Sequence, residues 1–266
     1  MIFSCSRKTN ENDHQLVDQK IGQMERFVGN TDHQYQNDFK FKLWQKGIDF
    51  YARGNEPSWA LDMDFQDSFQ FKTLDGIEII VPPIKGTEAM DAKVIRYNAE
   101  VEAGTLIVTI QEEKCQDTMA DEVFHFSVRI QVKSGTQQDF EEYSGCGNYV
   151  SDYRLHDIWV LENLNGMDLK SVMSIKDLPR FEFYASEGKI LGNDGCNDFS
   201  GDYIQIGSNE IQFSEVSRTK KMCSDLEIEN NLSKFVFGRR MNYSIENLKL
   251  KLTGFDGTKI IFKKID

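Results

Sequence analysis

A chain of 266 residues that is 39% hydrophobic has the material for about two domains with ordinary cores. Its formal net charge of −12 disfavours nucleic acid, because phosphate contact needs clustered Lys and Arg, and it disfavours adsorption to an anionic membrane face. No apolar run approaches the roughly 20 residues that would span a bilayer.

The chain opens with Ile2-Phe3-Ser4-Cys5, which looks like the end of a bacterial lipobox, where the cysteine becomes the lipid-bearing first residue. The charged and apolar regions of a signal peptide do not precede it here. On this reading Cys5 is a lipidation site, and the membrane is met only through a lipid anchor. The alternative is an incidental cysteine in a loose terminus. Residues 6–13 are polar. Val17, Ile21, Met24 and Val28 then share one face at helical spacing and predict a short helix stopped by Gly29-Asn30. That helix either docks on the first domain or serves as a tether. Residues 1–38 form the N-terminal segment.

From about Phe39 the pattern predicts strands. Phe124, Phe126, Val128, Ile130 and Val132 alternate with polar residues, the period of a half-buried antiparallel strand. Leu106, Val108 and Ile110 do the same, and Gly104 fits a hairpin turn before them. Ile77–Val81 should end at Pro82-Pro83, which cannot donate ladder hydrogen bonds. A sheet or barrel of about six strands is expected over residues 39–152.

The second domain is expected over residues 153–266. Trp159 lies in an apolar run before a turn at Asn165-Gly166, and Phe181 and Phe183 alternate before Glu187-Gly188. Ser224 and Glu227 form a candidate capping box. Ile228, Leu232, Phe235 and Val236 form a core-facing stripe, and Gly238 can close this helix, expected at about 225–237. Leu248, Leu250 and Leu252 alternate, Asp256-Gly257 turns, and Ile260 to Phe262 returns. The lysines on this last hairpin predict a solvated face with edge protection.

Five cysteines leave one over. Cys115 and Cys146 lie in the first half, Cys196 and Cys223 in the second, and none form Cys-x-x-Cys. One bond per half would leave Cys5 for a lipid. Closing a loop of about 30 residues stabilises by roughly 3–4 kcal/mol in the chain-entropy model. Such bonds persist in oxidising compartments; in a cytosolic protein the four would be reduced and buried. His125 and His156 do not stand at usual metal-ligand spacings, so no metal and no cofactor is expected. Small residues beside Cys146 and Cys196 would let the backbone turn tightly next to each sulfur.

Gly195-Cys196-Asn197-Asp198-Phe199-Ser200-Gly201 followed by Thr219-Lys220-Lys221-Met222-Cys223 resembles the META domain of HslJ-like bacterial envelope proteins. Trp159, the Asn165-Gly166 turn, the capped helix and the final hairpin extend the resemblance over about residues 154–266. It implies a compact antiparallel barrel or sheet with a helix packed on one side. It also implies an envelope lipoprotein or periplasmic protein, tied in some bacteria to stress or drug tolerance. No catalytic residues are implied. Arg53-Gly54-Asn55-Glu56-Pro57-Ser58-Trp59, Cys115-Gln116-Asp117-Thr118-Met119 and Gly145-Cys146-Gly147 resemble a domain that accompanies META in exported bacterial lipoproteins.

The expected fold is therefore mainly β, with two small antiparallel barrel or sheet domains and one packed helix. The expected role is non-enzymatic, binding or scaffolding an unknown envelope protein. The alternatives are a barrel that takes a small ligand in its mouth and a hydrolase with an unmarked carboxylate pair. No catalytic motif is found among the familiar hydrolase, phosphate-loop and dinucleotide patterns. Arg53, Glu56 and Trp59 are the candidate ligand-binding residues, a trio that could clamp a polar ligand. Its alternative is an Arg–Glu pair holding a turn while Trp59 fills the core.

Overall fold

The computed structural model describes residues 38–89, 93–116, 123–135, 137–171, 178–223 and 226–265. Cys5, the helix expected between residues 14 and 28, and Ser224 lie outside them. The described chain forms two antiparallel sheets, one curled into a half-barrel and one closed into a barrel.

The chain enters through α1 (Phe39–Gln45), capped by the Asp38 carboxylate, which accepts a hydrogen bond from the Lys40 amide at 2.8 Å. The strands expected from about Phe39 begin only at Phe50, after this helix. Phe41, Leu43 and Trp44 are all buried, and Phe41 and Trp44 pack on the ring of Tyr153, which follows the last strand of the first sheet. Tertiary packing decides the element here.

The first sheet comprises β1 (Phe50–Asn55), β2 (Ser58–Met63), β3 (Phe69–Thr73), β4 (Glu78–Val81), β5 (Thr87–Ala89), β6 (Val94–Val101), β7 (Gly104–Gln116), β8 (Val123–Ser134) and β9 (Glu141–Tyr149). Its order is β4-β3-β2-β1-β9-β8-β7-β6-β5. Nine strands replace the six expected. Short strands such as β5, three exposed residues without hydrophobic alternation, leave no periodic trace. The inner face buries Phe50, Leu61, Phe71, Val108, Val128 and Ile130 in one cluster. β4 ends at Val81 before the two prolines, as expected.

The second sheet comprises β10 (Ile158–Leu164), β11 (Met167–Asp168), β12 (Arg180–Tyr184), β13 (Lys189–Asn193), β14 (Asp198–Ile206), β15 (Glu210–Phe213), β16 (Ser217–Arg218), β17 (Arg240–Glu246), β18 (Lys249–Gly254) and β19 (Lys259–Lys264). β19 returns to pair with β10, so eight strands close on themselves. Closure removes the edge that the lysines of the last hairpin were expected to protect. The solvated face holds, since Lys249, Lys251, Lys259 and Lys263 are exposed, while Lys264 Nζ meets Asp157 at 2.6 Å and Lys249 Nζ meets Glu162 at 3.1 Å. Leu248 also departs from expectation. It sits in the turn after Asn247 with a positive φ of 60° and is 53% exposed, so the buried alternation begins at Leu250.

Trp159, Phe181, Phe183, Phe213 and Phe262, all essentially inaccessible, fill the barrel interior. α2 (Glu227–Phe235) lies between β16 and β17. Its N-cap is Leu226, without a side-chain bond, rather than Ser224. The stripe behaves as expected: Leu232 and Val236 are fully buried, Ile228 and Phe235 pack beside them, and Gly238 takes a positive φ of 71° after the helix. The Phe237 ring stacks on Phe181 at 5.8 Å and so ties the end of the helix to the barrel core.

Replacing Leu232 by Ala should destabilise the protein by about 2–5 kcal/mol, because it leaves a cavity between helix and barrel. Replacing the exposed Lys234 by Ala should change stability by less than about 0.5 kcal/mol. Urea unfolding of both variants checks the pair.

Candidate functional site

Three places concentrate polar chemistry. The first surrounds the expected trio. β1 and β2 form a hairpin in which Gly54 faces Trp59. Trp59 points inward and is 4% exposed, with its Nε1 donating to the Ser144 carbonyl at 3.3 Å. A Cβ on Gly54 or Gly145 would strike the Trp59 ring. The glycine before Cys146 therefore makes room for an indole within extended β9, and no tight turn occurs there, contrary to expectation. The sequence signal for this was the pairing of an inward Trp with two glycines on neighbouring strands, which only register reveals.

Arg53 points to the outer face. Its Nη1 donates to the carbonyls of Ala52 and Leu61, each at 2.8 Å, and its Nη2 meets Asp62 at 2.7 Å. The guanidinium also lies 5.6 Å from the Phe39 and Tyr51 ring centres. Its carboxylate partner is thus Asp62, across the hairpin, and not Glu56. Arg53 and Glu56 still share one feature: both line a groove of about 770 Å³ on the outer face of the first sheet. The same groove receives Arg96 from β6 and Arg129 from β8. Sequence reasoning missed both. Alternation along each strand places them outward, but adjacency depends on the pairing Arg96–Thr109–Arg129 across β6, β7 and β8. The disulfide Cys115–Cys146, with Cα atoms 5.5 Å apart, borders this groove. It joins β7 to β9 across β8, just after a bulge between Glu112 and Cys115.

The second place surrounds Cys196–Cys223, whose Cα atoms are 6.0 Å apart. Here the tight turn is real: Gly195 has a φ of 100°. The buried Asp194 carboxylate accepts from the amides of Cys196 and Asn197 at 3.0 and 2.7 Å. The Asn197 side-chain carbonyl accepts from the Thr219 hydroxyl at 2.9 Å and the Lys221 amide at 2.7 Å. Arg218 lies 3.8 Å from Asp194 and 3.6 Å from Glu229, with its guanidinium 4.9 Å from the Phe237 ring centre. The Gly-Cys-Asn and Thr-x-x-Met-Cys strings are therefore two halves of one hydrogen-bonded knot, closed by the disulfide.

The third place is the junction. Ile204 and Ile206 of β14 pack into the core of the first sheet. Between the sheets a cleft of about 250 Å³ is lined by His125, Asn148, Ser186 and Asp202, among others. Burial, and then the charges of Lys114 and Lys40, hold the His125 imidazole below its ordinary 6.5. Beside the cleft, Arg154 clamps Asp152 with contacts of 2.6 to 3.1 Å. The Asp152 amide donates to Gln205 at 2.8 Å, Gln205 donates to the Tyr243 hydroxyl at 2.9 Å, and Tyr243 reaches back to Asp152 at 3.2 Å. Burial raises the Asp152 carboxyl, but Arg154 and Tyr243 together hold it below its ordinary 3.8. Among the described residues no three His, Cys, Asp or Glu side chains converge as a metal site.

A closed β-barrel with one packed helix and a disulfide-closed knot defines the second half. Residues 151–266 match the family model of the META domain. A solved structure described only as "NMR structure of the protein" is similar at 24% identity over 41% of this chain and 90% of its own, with a TM-score of 0.34. No curated protein matches.

Asp152→Asn should cost about 1.5–3 kcal/mol at neutral pH, since it removes the charge-assisted contacts between Arg154 and a carboxylate buried in the junction. A depressed carboxylate stabilises above its unfolded value and loses that contribution as pH falls through its folded value. The gap between wild type and variant should therefore narrow below about pH 4. Urea titrations at neutral and acidic pH read both effects; equal stability at neutral pH would refute them.

Proposed function

We propose that the protein is a non-enzymatic component of the bacterial cell envelope, anchored on the periplasmic side by a lipid on Cys5, where it binds or scaffolds another envelope component. The observation that carries this reading is one disulfide in each sheet, Cys115–Cys146 and Cys196–Cys223. Such bonds are kept in oxidising compartments and reduced in the cytosol. The META domain match and the β-barrel agree with an extracytoplasmic protein. A part in envelope stress or drug tolerance, implied by the family resemblance, belongs to the same reading. The non-enzymatic assignment draws support from a barrel interior filled by aromatic side chains. That filling also weighs against a ligand in the barrel mouth. A small-ligand role is better served by the outer groove at Arg53 and Glu56.

Expressed from its native locus, the protein should partition into the detergent phase, and Cys5→Ala should move it to the aqueous phase. Non-reducing peptide mapping should recover both disulfides from the same cells. Aqueous partitioning of the unaltered protein refutes the anchor; free thiols at all four positions refute the compartment.

A further inference from the structure

The outer face of the first sheet carries a feature at odds with the charge of the chain. The formal net charge is −12, yet among the described residues the groove there is lined by Arg53, Arg96 and Arg129 and by a single carboxylate, Glu56. Arg53 is neutralised by Asp62. Arg129 makes no ion pair among the described residues, and Arg96 reaches only the Gln131 side-chain oxygen at 3.4 Å. Two exposed guanidinium groups thus face the groove without a carboxylate partner. Arg96 and Arg129 are in register through Thr109, one strand apart on each side, so their backbones stand about 10 Å from each other. Guanidinium groups offer paired donors that match carboxylate and phosphate oxygens.

The remaining lining narrows the ligand. Thr109, Gln111, Ser127 and Ser144 present hydroxyl and amide groups beside the arginines, while the Gln131 amide is held between Arg96 and Glu142. Among the described residues no aromatic side chain lines the groove, so this lining offers neither the stacking platforms that single-stranded nucleic acid uses nor the aromatic anchors of protein hot spots. β7 and β8, which carry Thr109 and Arg129 at its centre, are paired there on both sides, so a peptide cannot add to them as a further strand. The volume, about 770 Å³, falls in the range of roughly 300–1,000 Å³ of small-ligand sites. A ligand rich in hydroxyls, with acidic groups about 10 Å apart, meets all of these conditions.

We propose that this groove binds an acidic glycan, with Arg96 and Arg129 gripping its carboxylate or phosphate groups and the neighbouring hydroxyl and amide side chains meeting its sugar hydroxyls. Arg53, held by Asp62, shapes the wall. This gives chemical content to the binding role proposed above and rests on it, but the two fail separately: partitioning tests the anchor and titration tests the groove.

The test is calorimetric titration of the full chain with oligogalacturonate, which carries carboxylates, and with a phosphate-bearing mannan. Neutral dextran, poly-glutamate and single-stranded DNA serve as comparisons. Saturable binding of at least one acidic glycan, weakened by salt, is expected, and the responding glycan identifies the acidic group. Arg96→Ala with Arg129→Ala should weaken binding by about tenfold or more at unchanged melting temperature, because both side chains are exposed. The double lysine variant should recover part of the affinity. The proposal is overturned if neither acidic glycan binds, if neutral dextran binds equally, if the double alanine variant binds like wild type, or if poly-glutamate or DNA binds more tightly than both glycans.

Discussion

The arrangement of the two sheets depends on a buried charge that has to be satisfied. Asp152 is 5% exposed, and a carboxylate taken from water is tolerated only with close, well-aligned partners. Arg154 supplies the countercharge, Tyr243 of β17 donates to the carboxylate, and Gln205 of β14 accepts from the Asp152 amide and donates to Tyr243. Asp152 lies between the last strand of the half-barrel and the first strand of the barrel, so satisfying it fixes how the second domain meets the first. The apolar contacts follow the same geometry: Ile206 joins the first core, and Ala185 of the barrel joins Phe41, Tyr51 and Tyr153.

The two disulfides do different structural work. Cys196–Cys223 closes a loop whose own hydrogen bonds, from Asp194, Asn197 and Thr219, already define its shape. Cys115–Cys146 instead crosses a strand: it ties β7 to β9 over β8 beyond a bulge. Its neighbours Gly145 and Gly147 are needed for the rings of Trp59 and Phe50 on the other face. Two similar-looking glycine–cysteine strings thus solve different problems, one of chain direction and one of space.

Much of the architecture was legible in the residues. Alternation marked β7, β8 and β18, proline marked the end of β4, and helical spacing marked the Leu232 stripe. The strands expected from about Phe39 start only at Phe50, because the short apolar segment Phe39–Gln45 forms a helix where Tyr153 offers it a surface. The sequence pattern assigned edge protection to lysines on β19, because closure onto β10 is a long-range pairing without a local signature. The candidate trio was half legible. Arg53 and Glu56 do share a groove, while Trp59 faces the opposite side of the sheet, as residues of opposite parity across a paired hairpin must.

By itself the sequence determined the cysteine pairs, the mainly β character and the META resemblance of the second half, because each is written in residue type and short spacing. Only the tertiary structure decided that the second sheet closes on itself, that Asp152 lies buried between the domains, and that Arg96 and Arg129 come together. Those features depend on strand register between segments far apart in the chain, and a period of two along each strand says which face a residue takes but not which residue it faces.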